Sequence, residues 1–222
     1  MFEFVLTAIL CIATAALTAI HLYGCWCGNP RYRRYTKPFL VPSMTALTFS
    51  LMNMNGISLP SALPFLIAMG FYTLGDILLM LDGSTPIFLS GMVAFVVGHI
   101  VIAVSFLGTG TKIVYIMVSS LIWFAILLFL FFPRLDERNR MTPYLKAYGT
   151  MIALYGITVT ASSFNGNIPS HVLAVCGVAM FGISDSMIAL RVTDGRDRST
   201  KVMATYILAV ALLLSSAFLL AD

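Results

Sequence analysis

The chain has 222 residues, of which 59% are hydrophobic and 10% charged, with a formal net charge of +4. A soluble domain carries roughly 25% charged residues, so this composition excludes a water-soluble globular protein. The basic excess does not indicate nucleic-acid binding either, because the Lys and Arg residues sit in short connections beside apolar runs, where they act as topology signals and anionic-lipid contacts.

Apolar residues fall in blocks of membrane-spanning length rather than in an amphipathic rhythm. Eight segments are expected: residues 2–25, 38–54, 60–81, 87–107, 113–132, 144–163, 170–190 and 202–220. The predicted fold is therefore all-α, a polytopic membrane protein with eight transmembrane helices in one integral membrane domain over residues 1–222. The first segment carries Glu3 rather than a basic start, its apolar core is long, and its positive charges follow it. It reads as a retained helix rather than a cleaved signal peptide. Pro60, Pro86, Pro143 and Pro169 stand near helix starts, where a missing N–H costs little. Cys25 and Cys27 form a C-x-C that can suit metal binding or acylation; with Cys11 and Cys176 they read better as small apolar fillers in a reducing compartment.

Charge checks the span count. Arg31, Arg33, Arg34 and Lys37 follow the first segment. Arg134, Arg138, Arg140 and Lys146 separate the fifth and sixth, and Arg191, Arg196, Arg198 and Lys201 separate the seventh and eighth. Eight spans put all of these on one face and Lys112 alone on the other. The positive-inside rule makes the rich face cytoplasmic, with both termini outside. The expected location is a bacterial inner membrane.

Two acids interrupt the apolar runs: Asp76 in the third segment and Asp185 in the seventh. A carboxylate at that depth costs at least about 2.5–3.5 kcal/mol, so it persists where it has a partner or a task. Each lies five residues before the inner end of its segment, roughly 8 Å deep. A shift of 109 positions superposes Arg31 on Arg140, Tyr35 on Tyr144, Lys37 on Lys146, Pro60-Ser61 on Pro169-Ser170 and Asp76 on Asp185. This suggests a parallel internal repeat, residues 1–110 and 111–222, with a site at the repeat interface.

A helix-tying hydrogen bond is the structural alternative for the two acids, although Asn, Ser or Thr usually fills that role. Two carboxyls sharing a dry layer repel, so one is expected to hold a proton while the other ionises, the arrangement that general acid–base hydrolysis uses. Lys37, expected to open the second helix, can pair an aspartate, hold a phosphate or anchor the helix by snorkelling. Tyr148 is expected at the depth of the acids, with an interfacial-belt role as its alternative. Ser184 and Ser186 flank Asp185 and can orient its carboxylate or simply ease helix packing. His21, His99 and His171 fall at different depths and cannot share one ion, so neither a metal nor another cofactor is expected. Of the three, His99 can form a wall of the pocket or a satisfied core histidine. No serine nucleophile has a histidine nearby, and Gly182-Ile-Ser-Asp-Ser186 lacks the second glycine of a nucleophile elbow.

In Thr36-Lys37-Pro38, Leu74-Gly75-Asp76-Ile77-Leu78-Leu79, Gly98-His99, Tyr144 with Tyr148, and Phe181-Gly182-Ile183-Ser184-Asp185-Ser186, the chain resembles the YhhN-like membrane family, whose animal members are lysoplasmalogenases. Order and spacing match over nearly the whole chain. One departure is Ile102, where the family pattern has a tyrosine three residues after the histidine. The resemblance implies hydrolysis of the vinyl ether of a lysoplasmalogen, a lysophospholipid, giving a fatty aldehyde and a glycerophospho-ethanolamine or -choline. It makes Asp76 and Asp185 the catalytic pair. Lys37, helped by Arg191, would then hold the phosphate. The competing expectation is a proton-coupled transporter that uses the same paired carboxylates; a receptor or scaffold ranks third. The expected partners are the lysophospholipid substrate and membrane lipids, with no nucleic acid.

Overall fold

The computed structural model describes residues 2–81, 84–107, 111–162 and 168–221. These fold into eight α-helices: α1 (Phe2–Trp26), α2 (Pro30–Met54), α3 (Leu59–Met80), α4 (Thr85–Phe106), α5 (Ile113–Ala125), α6 (Thr142–Ser162), α7 (Ile168–Asp194) and α8 (Ser199–Ala221). No strand occurs among the described residues. Six helical stretches are long and apolar enough to cross a membrane, namely Glu3–Trp26, Leu59–Met80, Thr85–Phe106, Ile113–Arg134, Ile168–Asp194 and Ser199–Leu220. The protein is a multi-pass membrane protein. Both helices outside this set, α2 and α6, open with charged or polar turns.

Helix α2 starts eight residues earlier than its apolar pattern suggests. The Asn29 side chain caps it by accepting from the Arg31 backbone N–H, and Pro30 occupies the first helical position. Pro38 and Pro42 therefore lie inside the helix rather than at its start. Thr36 and Thr45 donate their hydroxyls to the carbonyls of Tyr32 and Val41. Lys37 accordingly does not open the helix: it sits two turns in, on the stretch that packs against α3.

Helix α5 runs on through a π-helical segment, Ile126–Phe131, and a 3₁₀ turn, Phe132–Arg134. A π segment widens the helix and turns its side chains, and such segments are frequent at functional sites. Helix α7 continues to Asp194, one turn beyond its expected end, and Asp194 pairs with Arg198 at 2.6 Å. Position 163, the expected end of the sixth segment, lies outside the described residues.

Six helices close a ring. Each of α2, α3, α4, α6, α7 and α8 packs on the next, and α8 returns to α2. Helix α1 covers α2 and α8 from outside, and α5 covers α6. Tyr72, Phe181, Met69 and Ile102 fill the ring interior and are fully buried. Gly98 lets α4 close on α3: a Cβ there would stand 2.5 Å from the Tyr72 ring. The starts of α2, α4 and α8 and the ends of α3 and α7 meet around one cavity at the basic end of the bundle. Helices α3 and α7 therefore run opposite to α2, α4 and α8, whereas α8 and α2, which adjoin in the ring, both start at the basic end.

Candidate functional site

Each of the two buried acids is held by a side chain from the helix before it. On α3, Asp76 places Oδ1 3.2 Å from Lys37 Nζ of α2. Its Oδ2 accepts a 2.8 Å hydrogen bond from the Tyr206 hydroxyl of α8. On α7, Asp185 Oδ2 accepts a 2.7 Å bond from the Tyr148 hydroxyl of α6. Asp76 is 3% exposed and Asp185 8%. No hydrogen bond joins the two carboxyls among the described residues.

Their surroundings differ. An ammonium and a phenol enclose Asp76. Asp185 faces an apolar cavity of about 450 Å³ between α5, its π segment, α6 and α7. That cavity runs from Arg134 and Leu190 at the basic end to Trp123 and Ala153 in mid-bundle. Eleven helical residues separate Arg134 from Trp123, roughly 16 Å at 1.5 Å per residue. Arg134 donates to the Leu130 carbonyl where the π segment ends.

Behind Asp185 and Tyr148 lies a second, small cavity of about 20 Å³, walled also by Leu79, Phe88 and Ile188. A space of roughly 10–15 Å³ measured this way suffices for one water. Leu79, Phe88 and Ile188 in turn wall a third cavity, of about 480 Å³, which carries Arg33, Arg34, Lys37 and Arg191. The three spaces lie in series, with the Asp185–Tyr148 pair shared by the first two.

The structure brings Tyr148 to Asp185 and Lys37 to Asp76, as their sequence positions suggest. It does not bring Ser184 or Ser186 to the Asp185 carboxyl. Ser184 donates to the Val202 carbonyl at 3.1 Å, and Ser186 back-bonds to the Gly182 carbonyl at 2.6 Å. Neighbours in sequence diverge by about 100° around a helix, so flanking residues face elsewhere. Ser186 still lines the apolar cavity. Arg191 bonds Ser199 at 3.5 Å and opens on the same cavity as Lys37.

His99 belongs to the core rather than to any of these cavities. Its Nδ1 is 2.7 Å from the Tyr72 hydroxyl, and its ring stacks on Tyr155 at 4.7 Å. Ile102, one turn further along α4, is fully buried, and phenols from α3 and α6 pack against the imidazole. His21 bonds Thr36 at 2.7 Å and lies 3.6 Å from the Cys25 sulfur.

Tyr206 escaped the reading of the sequence. The depth arithmetic that found Tyr148, near the start of α6, also applies to Tyr206, near the start of α8. A tyrosine in an apolar run otherwise looks like an interfacial anchor.

The model of the YhhN family matches residues 32–217. No curated protein and no solved structure matches the chain.

Proposed function

The chain belongs to the YhhN family, and we propose that it is a membrane-embedded ether hydrolase cleaving the vinyl ether of a lysoplasmalogen. The observation that carries this reading is the position of Asp185. The acid, oriented by Tyr148, stands between an apolar cavity shaped for a chain and a space the size of one water.

The chemistry requires an acid, a water and nearby negative charge. Asp185 donates a proton to the β-carbon of the vinyl ether, and an oxocarbenium ion forms at the ether carbon. Carboxylate charge steadies that cation. A water in the small cavity adds to the cationic carbon and returns a proton to Asp185, leaving a hemiacetal. The hemiacetal collapses to a fatty aldehyde and the glycerophospho-alcohol, so the net reaction consumes one water. Tyr148 holds the carboxyl in line. Asp76 contributes fixed negative charge and, through Lys37 and Tyr206, locks α2, α3 and α8 around it.

The reading extends to the topology. All eight helices would cross the membrane as one domain over residues 1–222, with the basic end in the cytoplasm of a bacterium and both termini outside. Its support is the match between halves: α2 meets α3 as α6 meets α7, α3 meets α4 as α7 meets α8, and α4 meets α6 as α8 meets α2. In both halves the central acid is bonded from the preceding helix. This is what a four-plus-four parallel repeat would produce.

The test is aldehyde release by purified protein in detergent from vinyl-ether, alkyl-ether and ester lysolipids. Release from the vinyl ether alone supports the proposal. Vesicle-dependent accumulation of a solute without aldehyde would instead favour the transporter.

A further inference from the structure

The cavity at the basic end has a composition that topology alone does not require. Arg33 and Arg34 of α2, Lys37 one turn further in, and Arg191 of α7 converge on a single space of about 480 Å³. That volume lies within the range of roughly 300–1,000 Å³ typical of small-molecule sites. Its lining contains no acidic residue. Neither Arg33, Arg34 nor Arg191 forms an ion pair among the described residues, whereas Lys37 is engaged by Asp76. Asp197, two residues before Ser199 of the lining, is already committed: it accepts from the Ser199 hydroxyl and backbone N–H. Those bonds, with the charges of Arg191 and Arg33 nearby, hold its carboxyl below the usual range.

Three guanidinium groups that form no ion pair among the described residues, gathered from two helices on one cavity, offer the paired N–H donors that a phosphate accepts from arginine. The cavity is also not isolated. Leu79, Phe88 and Ile188 form its inner wall and, on their other side, the wall of the one-water space beside Asp185. Beyond Asp185 lies the apolar cavity. A basic chamber, an acid and an apolar chamber thus follow one another.

Resting on the hydrolase reading, we propose that the basic chamber is the phosphodiester subsite. It receives the glycerophosphate half of the substrate while the apolar chamber receives the alkenyl chain. Arg33 and Arg34 are the recognition residues, and the bond to be cut lies at the neck formed by Leu79, Ile188 and Asp185. The polar product then leaves through the basic mouth into water, and the aldehyde leaves sideways into lipid.

The experiment compares wild type with the Arg33→Gln/Arg34→Gln double variant and with Arg140→Gln, which removes an exposed cation that lines none of the three cavities. Each is assayed on alkenyl-glycerophosphoethanolamine and on alkenylglycerol, which lacks the phosphate. The expected result is a KM raised about tenfold or more for the phosphate-bearing substrate in the double variant. Its kcat stays near wild type, its kinetics on alkenylglycerol are unchanged, and Arg140→Gln has little effect. An unchanged KM in the double variant, or a KM raised equally by Arg140→Gln, overturns the assignment. Equal loss on both substrates also overturns it, since that marks a structural role.

A second arm titrates the purified proteins calorimetrically with glycerophosphoethanolamine and with inorganic phosphate. Binding of the diester that is lost in the double variant supports the subsite even if no substrate releases aldehyde, so failure of the hydrolase reading is seen separately. Inorganic phosphate binding as tightly as the diester would make the chamber a free-anion site and overturn the headgroup assignment.

Discussion

The Tyr206 hydroxyl of α8 donates to Oδ2 of Asp76 on α3 at 2.8 Å, across 130 positions of sequence. This bond and the Lys37 contact account for both oxygens of a carboxyl that is nearly inaccessible. Replacing Tyr206 by Phe removes a hydrogen bond to a charged group, worth about 1.5–3 kcal/mol. The expected outcome is a lower thermal midpoint for the purified protein, with aldehyde release reduced less than by Asp76→Asn. A midpoint equal to wild type would show that the bond contributes nothing.

Lys37 and Asp76 should behave as one unit. Side-chain exposures of 18% and 4% make the pair largely buried, so removing one charge strands the other at a cost of roughly 3–5 kcal/mol, less where water reaches Lys37. Lys37→Met should therefore destabilise more than the double variant Lys37→Met/Asp76→Asn, in which neither charge remains. Thermal midpoints in a double-mutant cycle measure the coupling; strictly additive losses would contradict it.

Tyr148→Phe removes the bond that orients Asp185. The expected effect is a fall of about tenfold or more in kcat, smaller than the roughly 10²–10⁴-fold that a general acid–base group itself contributes, with KM little changed. Ser186→Ala, which deletes only a back-bond to Gly182, should leave kcat near wild type. A reversed order of effects would return the orienting role to the serine.

Helices α5 and α6 meet where Gly156 faces the Trp123 indole. A Cβ on Gly156 would stand 2.3 Å from that ring, and the indole N–H bonds Thr160 at 3.0 Å. Gly156→Ala should displace Trp123, break the Thr160 bond and destabilise by about 1–3 kcal/mol. Because the chain has two tryptophans, a Trp26→Phe background lets Trp123 fluorescence report the displacement directly. An unshifted emission spectrum would show that the ring stays in place.

The two acids were legible because a carboxylate within an apolar run has no inexpensive explanation, and the starts of α3, α4, α6 and α7 were marked by their prolines. The start of α2 was not. Arg31, Arg33 and Arg34 hide the apolar pattern there, and Pro38 imitates a first turn while the true cap is Asn29-Pro30. The π segment was invisible for the opposite reason: residues 126–131, Ile-Leu-Leu-Phe-Leu-Phe, are apolar on every side and carry no phase. Ser184 and Ser186 misled because adjacency in sequence is not adjacency on a helix. Tyr206 and the convergence of Arg33, Arg34 and Arg191 depend on how α8 and α2 close the ring, which periodicity within one helix does not encode.

The central claim is that Asp185 transfers the proton that opens the vinyl ether. It is tested most directly by aldehyde release from alkenyl-glycerophosphoethanolamine by purified Asp185→Asn protein that elutes and melts as wild type does. The account expects kcat to fall by about 10²–10⁴-fold with the lipid still bound. Release within a few-fold of wild type would contradict it.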